Sequence, residues 1–327
     1  MAKAIQMNVK DYEPTNLSHL IGMESVTRQL DTAVRAYFND RMAGKNPKPE
    51  NVIMTGPPGV GKTACAKILH KTYGFPSENF KEVIGANLGL EQLYQLLISS
   101  DQDTTIYIDE AMSLSDRCSD ILLKALDEQV LMIPSKKQGS KNTKIPLANF
   151  LCIFSLTDEY KIASPLRQRF PIQCRFTFYD DASIEKIVLQ RAVACGWKLE
   201  SEQIATSIAA CSKQTPRLGL RLLQGCWRVT RSYDEDTIRL RHFAEAKDQA
   251  GLDSKGCDHL EKSLLKLLYK ANKPVRLNVI GSSLGLPPRT ISSVVEDFLI
   301  RSELIERLPE GRVLTTKGRI HVEANLI

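Results

Sequence analysis

Residues Gly56-Pro57-Pro58-Gly59-Val60-Gly61-Lys62-Thr63 satisfy every fixed position of the pattern G-x-x-x-x-G-K-[ST]. Glycine adopts backbone conformations closed to other residues, so such a turn folds with its N–H groups converging on one point. The apolar run before it, Asn51-Val-Ile-Met-Thr55, reads as a short buried strand, and 63–73 as a helix. Strand, glycine turn, helix is the context in which this pattern cradles a phosphate. The helix adds its positive dipole end. Lys62 is expected at the β- and γ-phosphates, and the Thr63 hydroxyl on a magnesium ion.

Two further buried strands support a parallel sheet. Thr105-Ile-Tyr-Ile-Asp109 and Phe150-Leu-Cys-Ile-Phe-Ser155 are separated from the first strand, and from each other, by helical patterns. Asp109 and Glu110 follow Lys62 by about fifty residues. An acid at the C-terminal end of a parallel strand stands in the crevice where such sheets bind ligands. Asp109 is expected to hold Mg²⁺, and Glu110 to polarise an attacking water as general base. The adjacent acids favour hydrolysis over transfer to a small molecule. Thr157, after the third strand, is placed to orient the same water. Arg169, in Pro165-Leu-Arg-Gln-Arg-Phe170, is a candidate arginine finger for a neighbouring subunit. Arg217, in Gln214-Thr-Pro-Arg217, is a candidate to close onto the nucleotide from a second domain.

Composition sets the bounds. The 327 residues are 43% apolar and 25% charged, ordinary globular usage that admits two or three domains. The formal charge of +6 is compatible with an anionic partner without requiring one. None of the eight cysteines forms a C-x-x-C pair, so a zinc ribbon is not expected. Cys65, Cys152 and Cys174 read as reduced core thiols, which fits a cytoplasmic location. No signal peptide and no stretch of ~18 apolar residues is seen, so no membrane role is expected.

Organisation follows from where the strand signals stop. Residues 1–179 read as the nucleotide-binding α/β domain, a parallel sheet with helices on both faces. Within it, 133–145 reads as a protruding hairpin carrying Lys136, Lys137, Lys141 and Lys144. Residues 180–251 read as an all-α lid. Residues 252–327 have helical patterns near 260–268, 279–284 and 291–299, then a hairpin turning at Pro309-Glu310-Gly311. Three helices and a hairpin make a winged helix. Residues 255–327 hold 12 Lys/Arg against 8 Asp/Glu. Arg289, Arg307, Arg312 and Lys317 are candidates for phosphate contacts to DNA, giving salt-dependent binding that is not sequence-specific.

Taken together, the chain resembles the AAA+ ATPases and, within them, the RuvB family of branch-migration motors. The resemblance covers about residues 14–317. It is carried by Leu20-Ile-Gly22, the glycine turn, Tyr107-Ile-Asp-Glu110, Ser164-Pro-Leu-Arg-Gln-Arg-Phe170, Phe178-Tyr179, Thr215-Pro-Arg-Leu-Gly-Leu-Arg-Leu-Leu223 and Pro309-Glu-Gly-Arg-Val-Leu-Thr-Thr316. It implies ATP and Mg²⁺ as cofactors, and a ring, usually a hexamer, acting on duplex or branched DNA with a junction-recognition protein as partner. It also implies that Ile21, Gly22, Tyr179 and Pro216 join the turn residues, Ala64 included, around the nucleotide, and that Arg312 lies on the DNA-touching wing. The chain departs from the family pattern at Glu13, Ala64, Ala111-Met-Ser113, Asp158 and Glu310. Two other readings are open: a remodeller acting on a protein through the winged helix, and a nucleotide-dependent switch without sustained turnover.

Overall fold

The computed structural model describes residues 8, 9, 12, 14–133 and 143–327. Residues 12–179 form one compact unit and residues 180–327 another, which Val9 joins by donating its N–H to Gln224 Oε1 at 2.7 Å. Lys136, Lys137 and Lys141 of the expected hairpin lie outside the described residues.

In the first unit, helix α1 (Glu24–Met42) precedes strand β1 (Val52–Thr55). Then come α2 (Lys62–Thr72), β2 (Phe80–Ile84), α3 (Leu90–Ile98), β3 (Thr105–Asp109) and α4 (Asp116–Glu128). The antiparallel pair β4 (Val130–Ile133) and β5 (Thr143–Pro146) follows. Next are β6 (Leu151–Leu156), the single turn α5 (Ser164–Arg167) and β7 (Ile172–Arg175). Among the described residues, five strands make a parallel sheet in the order β2-β3-β6-β1-β7. The central strands β1, β3 and β6 are almost wholly buried, as their unbroken apolar runs require. Ile53, Ile106, Ile108, Phe154 and Phe170 anchor one core with Leu93, Leu97 and Leu122 of the helices.

The edge strands β2 and β7 carry Lys81, Glu82, Gln173 and Arg175. A sheet edge meets water, and charge there discourages pairing with another chain. These strands therefore lack the apolar runs that mark the central three.

The second unit packs α6 (Asp181–Ala194), β8 (Lys198–Leu199), α7 (Gln203–Ala210), α8 (Pro216–Ser232), β9 (Thr237–Ile238) and α9 (Leu240–Gln249). It continues through α10 (His259–Ala271) and α11 (Leu277–Leu284). Then α12 (Pro288–Thr290) runs through a π-helical stretch, Ile291–Val295, into α13 (Glu296–Arg301). The hairpin β10 (Ile305–Leu308) and β11 (Gly311–Leu314) leads to α14 (Thr316–Asn325). Leu264, Leu265, Leu268, Ile280, Ile291, Leu299, Leu304 and Leu314 form a core of the winged helix's own. Helix α14 was not expected. Its first turn contains Gly318, a helix-weakening residue. A Cβ at Gly318 would come within 2.0 Å of Leu304 O, so packing rather than propensity selects it. All eight cysteines are buried, and none is in a disulfide.

Candidate functional site

The strand order assembles the expected nucleotide site. Strand β6 lies between β3 and β1. The turn after β1, Asp109 and Glu110 at the end of β3 and Thr157 after β6 therefore stand side by side at the C-terminal edge of the sheet. Register confirms the alignment: Thr55 pairs with Leu156, and Ile108 with Phe154.

The glycine turn is built for close approach. Gly56, Gly59 and Gly61 have φ of +146°, +84° and +100°. A Cβ at Gly56 would lie 2.3 Å from Phe176 O, so the turn tolerates no side chain there. Lys62 opens α2, and its Nζ donates to Gly56 O at 2.6 Å and Pro57 O at 2.9 Å, curling back over the turn. Tyr179 is tied to the loop. Its hydroxyl donates to Val60 O at 3.0 Å, and burial pushes its phenol well above the ordinary range. Ile21 is half-buried and precedes Gly22, whose φ is +73°.

The donor set suits a magnesium nucleotide. Thr63 Oγ1 lies 2.9 Å from the Tyr107 hydroxyl on β3. Burial raises the Tyr107 phenol to about 12, so it stays protonated in any ordinary buffer. Asp109 ends β3, where its Oδ1 accepts from Glu110 N at 3.0 Å. Glu110 holds the left-handed conformation, φ +49°, uncommon for a residue with a β-carbon. The segment after β2 makes room for it: a Cβ at Gly85 would come within 2.7 Å of Glu110 O. Strain of this kind clusters at functional sites. Thr157 Oγ1 donates to Met112 Sδ at 3.4 Å, which brings the segment after β6 against the turn after β3.

Arg169 stands at the other edge of the sheet. Its carbonyl accepts from Asn51 Nδ2 at 3.1 Å, and Asn51 Oδ1 accepts from Cys152 N at 3.0 Å. Asn51 immediately precedes β1, so this is the N-terminal edge. Its guanidinium pairs with Asp127 near the end of α4 at 2.8 Å. Its Nε–H is buried with no hydrogen-bond acceptor among the described residues. Asn51 carries no motif, and no signal in the sequence marked it.

Arg217 is exposed in the first turn of α8, after buried Pro216 at the first helical position. On the wing, the cations differ. Arg312 Nε donates to Glu296 Oε1 at 2.7 Å, and Arg307 Nε to Glu296 Oε2 at 3.0 Å. The Glu296 side chain is 0% exposed and the Arg312 side chain 17%. Lys317 pairs with Glu303 at 3.0 Å in the open. Arg289 is exposed in α12, just before the π-helical stretch.

A separate cluster of metal-ligating side chains is buried: Asp253, Cys257 and His321. It reads as a closed hydrogen-bonded knot. Asp253 Oδ2 meets His321 Nε2 at 2.8 Å, while Oδ1 accepts from Lys255 N and Cys257 N at 2.8 and 2.9 Å. With its oxygens so engaged, the carboxylate is a loop staple rather than a free ligand.

Comparison with known proteins agrees with this geometry. Residues 12–176 match the family model described as the Holliday junction DNA helicase RuvB P-loop domain. Residues 254–323 match the RuvB C-terminal winged helix domain. The branch migration complex subunit RuvB of Campylobacter jejuni subsp. doylei is 30% identical over 315 residues, covering 95% of this chain and 91% of that protein. This chain belongs to the RuvB family. The corresponding subunit of Fervidobacterium nodosum is 29% identical over 318 residues, covering 96% and 89%. The solved structure of the Thermotoga maritima RuvB Holliday junction branch migration motor superposes with a TM-score of 0.76 at 26% identity, covering 95% of this chain and 98% of that one. The chain is a P-loop ATPase of this family with a C-terminal winged helix. No described helix is long and apolar enough to cross a membrane.

Proposed function

We propose that the chain is an ATP-driven motor that moves duplex or branched DNA, Holliday junctions included, as a ring whose ATP sites are completed between subunits. One observation carries the shared site. The phosphate turn and Arg169 lie at opposite ends of β1. Asn51 to Gly56, at ~3.3 Å per residue, separates them by about 16 Å. An arginine so placed serves a neighbour's γ-phosphate rather than its own. Its pairing with Asp127 and its unpartnered Nε suit a side chain waiting for that anion. A hexamer is the ring size that the family resemblance implies.

The site residues take these roles in the proposal. Backbone N–H groups of 59–63 and the Lys62 ammonium hold the β- and γ-phosphates. Ile21, Gly22 and Tyr179 border the base. Thr63 and Asp109 hold Mg²⁺, which supplies charge neutralisation across the phosphates. Glu110 accepts a proton from the water that attacks the γ-phosphorus as the bond to ADP breaks, and Thr157 orients that water. Pro216 and Arg217 close over the nucleotide from the lid, residues 180–251, which connects to the winged helix, 252–327. Arg289 and Lys317 contact DNA phosphates, and Arg307, half-exposed beside its pair with Glu296, adds to them. A junction-recognition protein is a further partner, and the cytoplasm the expected location. A remodeller of proteins has less support, because both domains match models named for a DNA motor.

The test is ATP turnover with and without a four-way DNA junction, alongside gel retardation at low salt. Stimulation with retardation supports the motor. Turnover indifferent to DNA, with no retardation, refutes it.

A further inference from the structure

Two successive residues before α8, Lys213 and Gln214, hold left-handed conformations with φ of +50° and +62°. Neither is glycine, so each backbone is costly and persists only where the surroundings impose it. The winged helix holds both side chains. Lys213 Nζ lies 2.6 Å from Glu261 Oε2 and 3.1 Å from Asp258 Oδ2. The side chains of Lys213 and Glu261 are 15% and 3% exposed. Asp258 and Glu261 are the two halves of the capping box of α10, so Lys213 plugs into the start of that helix. The same ammonium sits 5.7 Å from the Phe298 ring centre on α13. Gln214 Oε1 accepts from Arg301 Nη1, also on α13, at 2.7 Å. The turn is thus held by two winged-helix elements at once.

The turn leads directly to Arg217. Thr215 Oγ1 donates to Ser212 O at 3.1 Å, Pro216 fixes the first helical φ, and Arg217 follows. A short, doubly anchored segment transmits displacement, because packed interfaces switch between discrete arrangements rather than deform smoothly. Burial alone lowers the Lys213 amine, yet Glu261 and Asp258 outweigh it and hold the amine above its ordinary range, so the clamp stays charged at neutral pH.

We infer that Lys213 and Gln214 form a clamp by which the winged helix positions Arg217, so that load on the DNA-binding domain sets ATP turnover. Lys213 is a positioning residue here, acting through Arg217. The inference rests on the proposed role of Arg217 at the nucleotide.

The test uses full-length protein carrying Lys213→Met, Lys213→Arg, Gln214→Gly or Arg217→Ala. Turnover is measured with and without a four-way junction, together with junction affinity and melting temperature. Lys213→Met is expected to lower the ratio of DNA-stimulated to DNA-free kcat at least fivefold, with KM for ATP and junction affinity within about twofold. Lys213→Arg restores most of the ratio. Gln214→Gly keeps the left-handed turn that glycine favours and removes only the Arg301 tether. It is expected to lower the ratio in the same direction without loss of melting temperature, and it decides the matter if Lys213→Met does not fold. If Arg217→Ala stops turnover while Gln214→Gly and any folded Lys213→Met keep the full ratio, the clamp is overturned. If Arg217→Ala turns over normally, the role of Arg217 itself is wrong and the clamp goes with it.

Discussion

The Tyr107 hydroxyl lies 2.9 Å from Thr63 Oγ1, joining the strand that ends in Asp109 to the residue after Lys62. A threonine that gives its lone pair to a metal must send its proton elsewhere, and Tyr107 is the acceptor within reach. Tyr107→Phe removes that acceptor with little change of shape. A neutral hydrogen bond of ~1 kcal/mol corresponds to about fivefold in affinity. The Mg²⁺ concentration for half-maximal turnover is expected to rise by about that factor in the variant. A titration superimposable on the wild type would exclude Tyr107 from the metal site.

Lys62→Ala should abolish ATP binding, measured with a fluorescent nucleotide, because it removes the ammonium that lies over the turn where the phosphates would sit. Glu110→Gln keeps shape and loses the base, so it should bind ATP and slow turnover by roughly 10²–10⁴-fold. Turnover within tenfold of wild type would take Glu110 out of the mechanism.

Arg169→Ala subunits mixed with wild type should depress turnover more steeply than their fraction, since each defective finger silences a neighbour's site. Strict proportionality would place the arginine in its own subunit's chemistry. Asp127→Asn is the companion. The pair is half-exposed and contributes only ~0–1 kcal/mol to stability. Its loss should leave the melting temperature nearly unchanged while freeing the guanidinium.

Much of this was legible in the chain, for physical reasons. The glycine turn, Asp109, Glu110 and the central strands advertise themselves because phosphate binding needs specific residues and a buried parallel strand needs an apolar run. Strand order was not legible: insertion of β6 between β3 and β1 depends on long-range pairing that local sequence does not encode. The edge strands β2 and β7 were missed because solvent-facing Lys81, Glu82 and Arg175 break their apolar pattern. Asn51, Lys213 and Glu296 carry no motif, and Tyr107 lies in one whose pattern does not show its bond to Thr63. Their roles exist only through partners distant in the chain. The wing looked like a uniform basic patch, and Glu296 divides it into anchored and open cations.

That division has a measurable consequence. Arg312 makes a two-pronged pair with buried Glu296, at 2.7 and 3.3 Å. Breaking a buried pair by removing one partner costs about 3–5 kcal/mol. Arg307 retains part of the compensation here, so Arg312→Ala is expected near the lower end, read by urea unfolding. Arg289→Ala should leave stability unchanged and lower DNA affinity, reducing the slope of log K against log salt by about one. If Arg312→Ala is as stable as wild type and only DNA binding falls, Arg312 is a contact residue after all.

Asp253 supplies the pH dependence. Burial acts to raise its carboxyl, but hydrogen bonds from His321 and from the N–H groups of Cys257 and Lys255 outweigh it and leave it below its ordinary value. A carboxylate depressed in the folded state adds stability that is fully present above its unfolded value, about 3.9. That stability is lost as pH falls through the lower folded value. The winged-helix unit should therefore hold its urea midpoint down to about pH 4 as far as this group is concerned, and then lose Asp253's contribution in stronger acid. Asp253→Asn cannot ionise. It should be less stable at neutral pH and flatter between pH 4 and 2. Parallel midpoint curves for the two proteins across that range would mean that the knot at Asp253 contributes no pH-dependent stability, and that packing alone around Cys257 and His321 closes the loop.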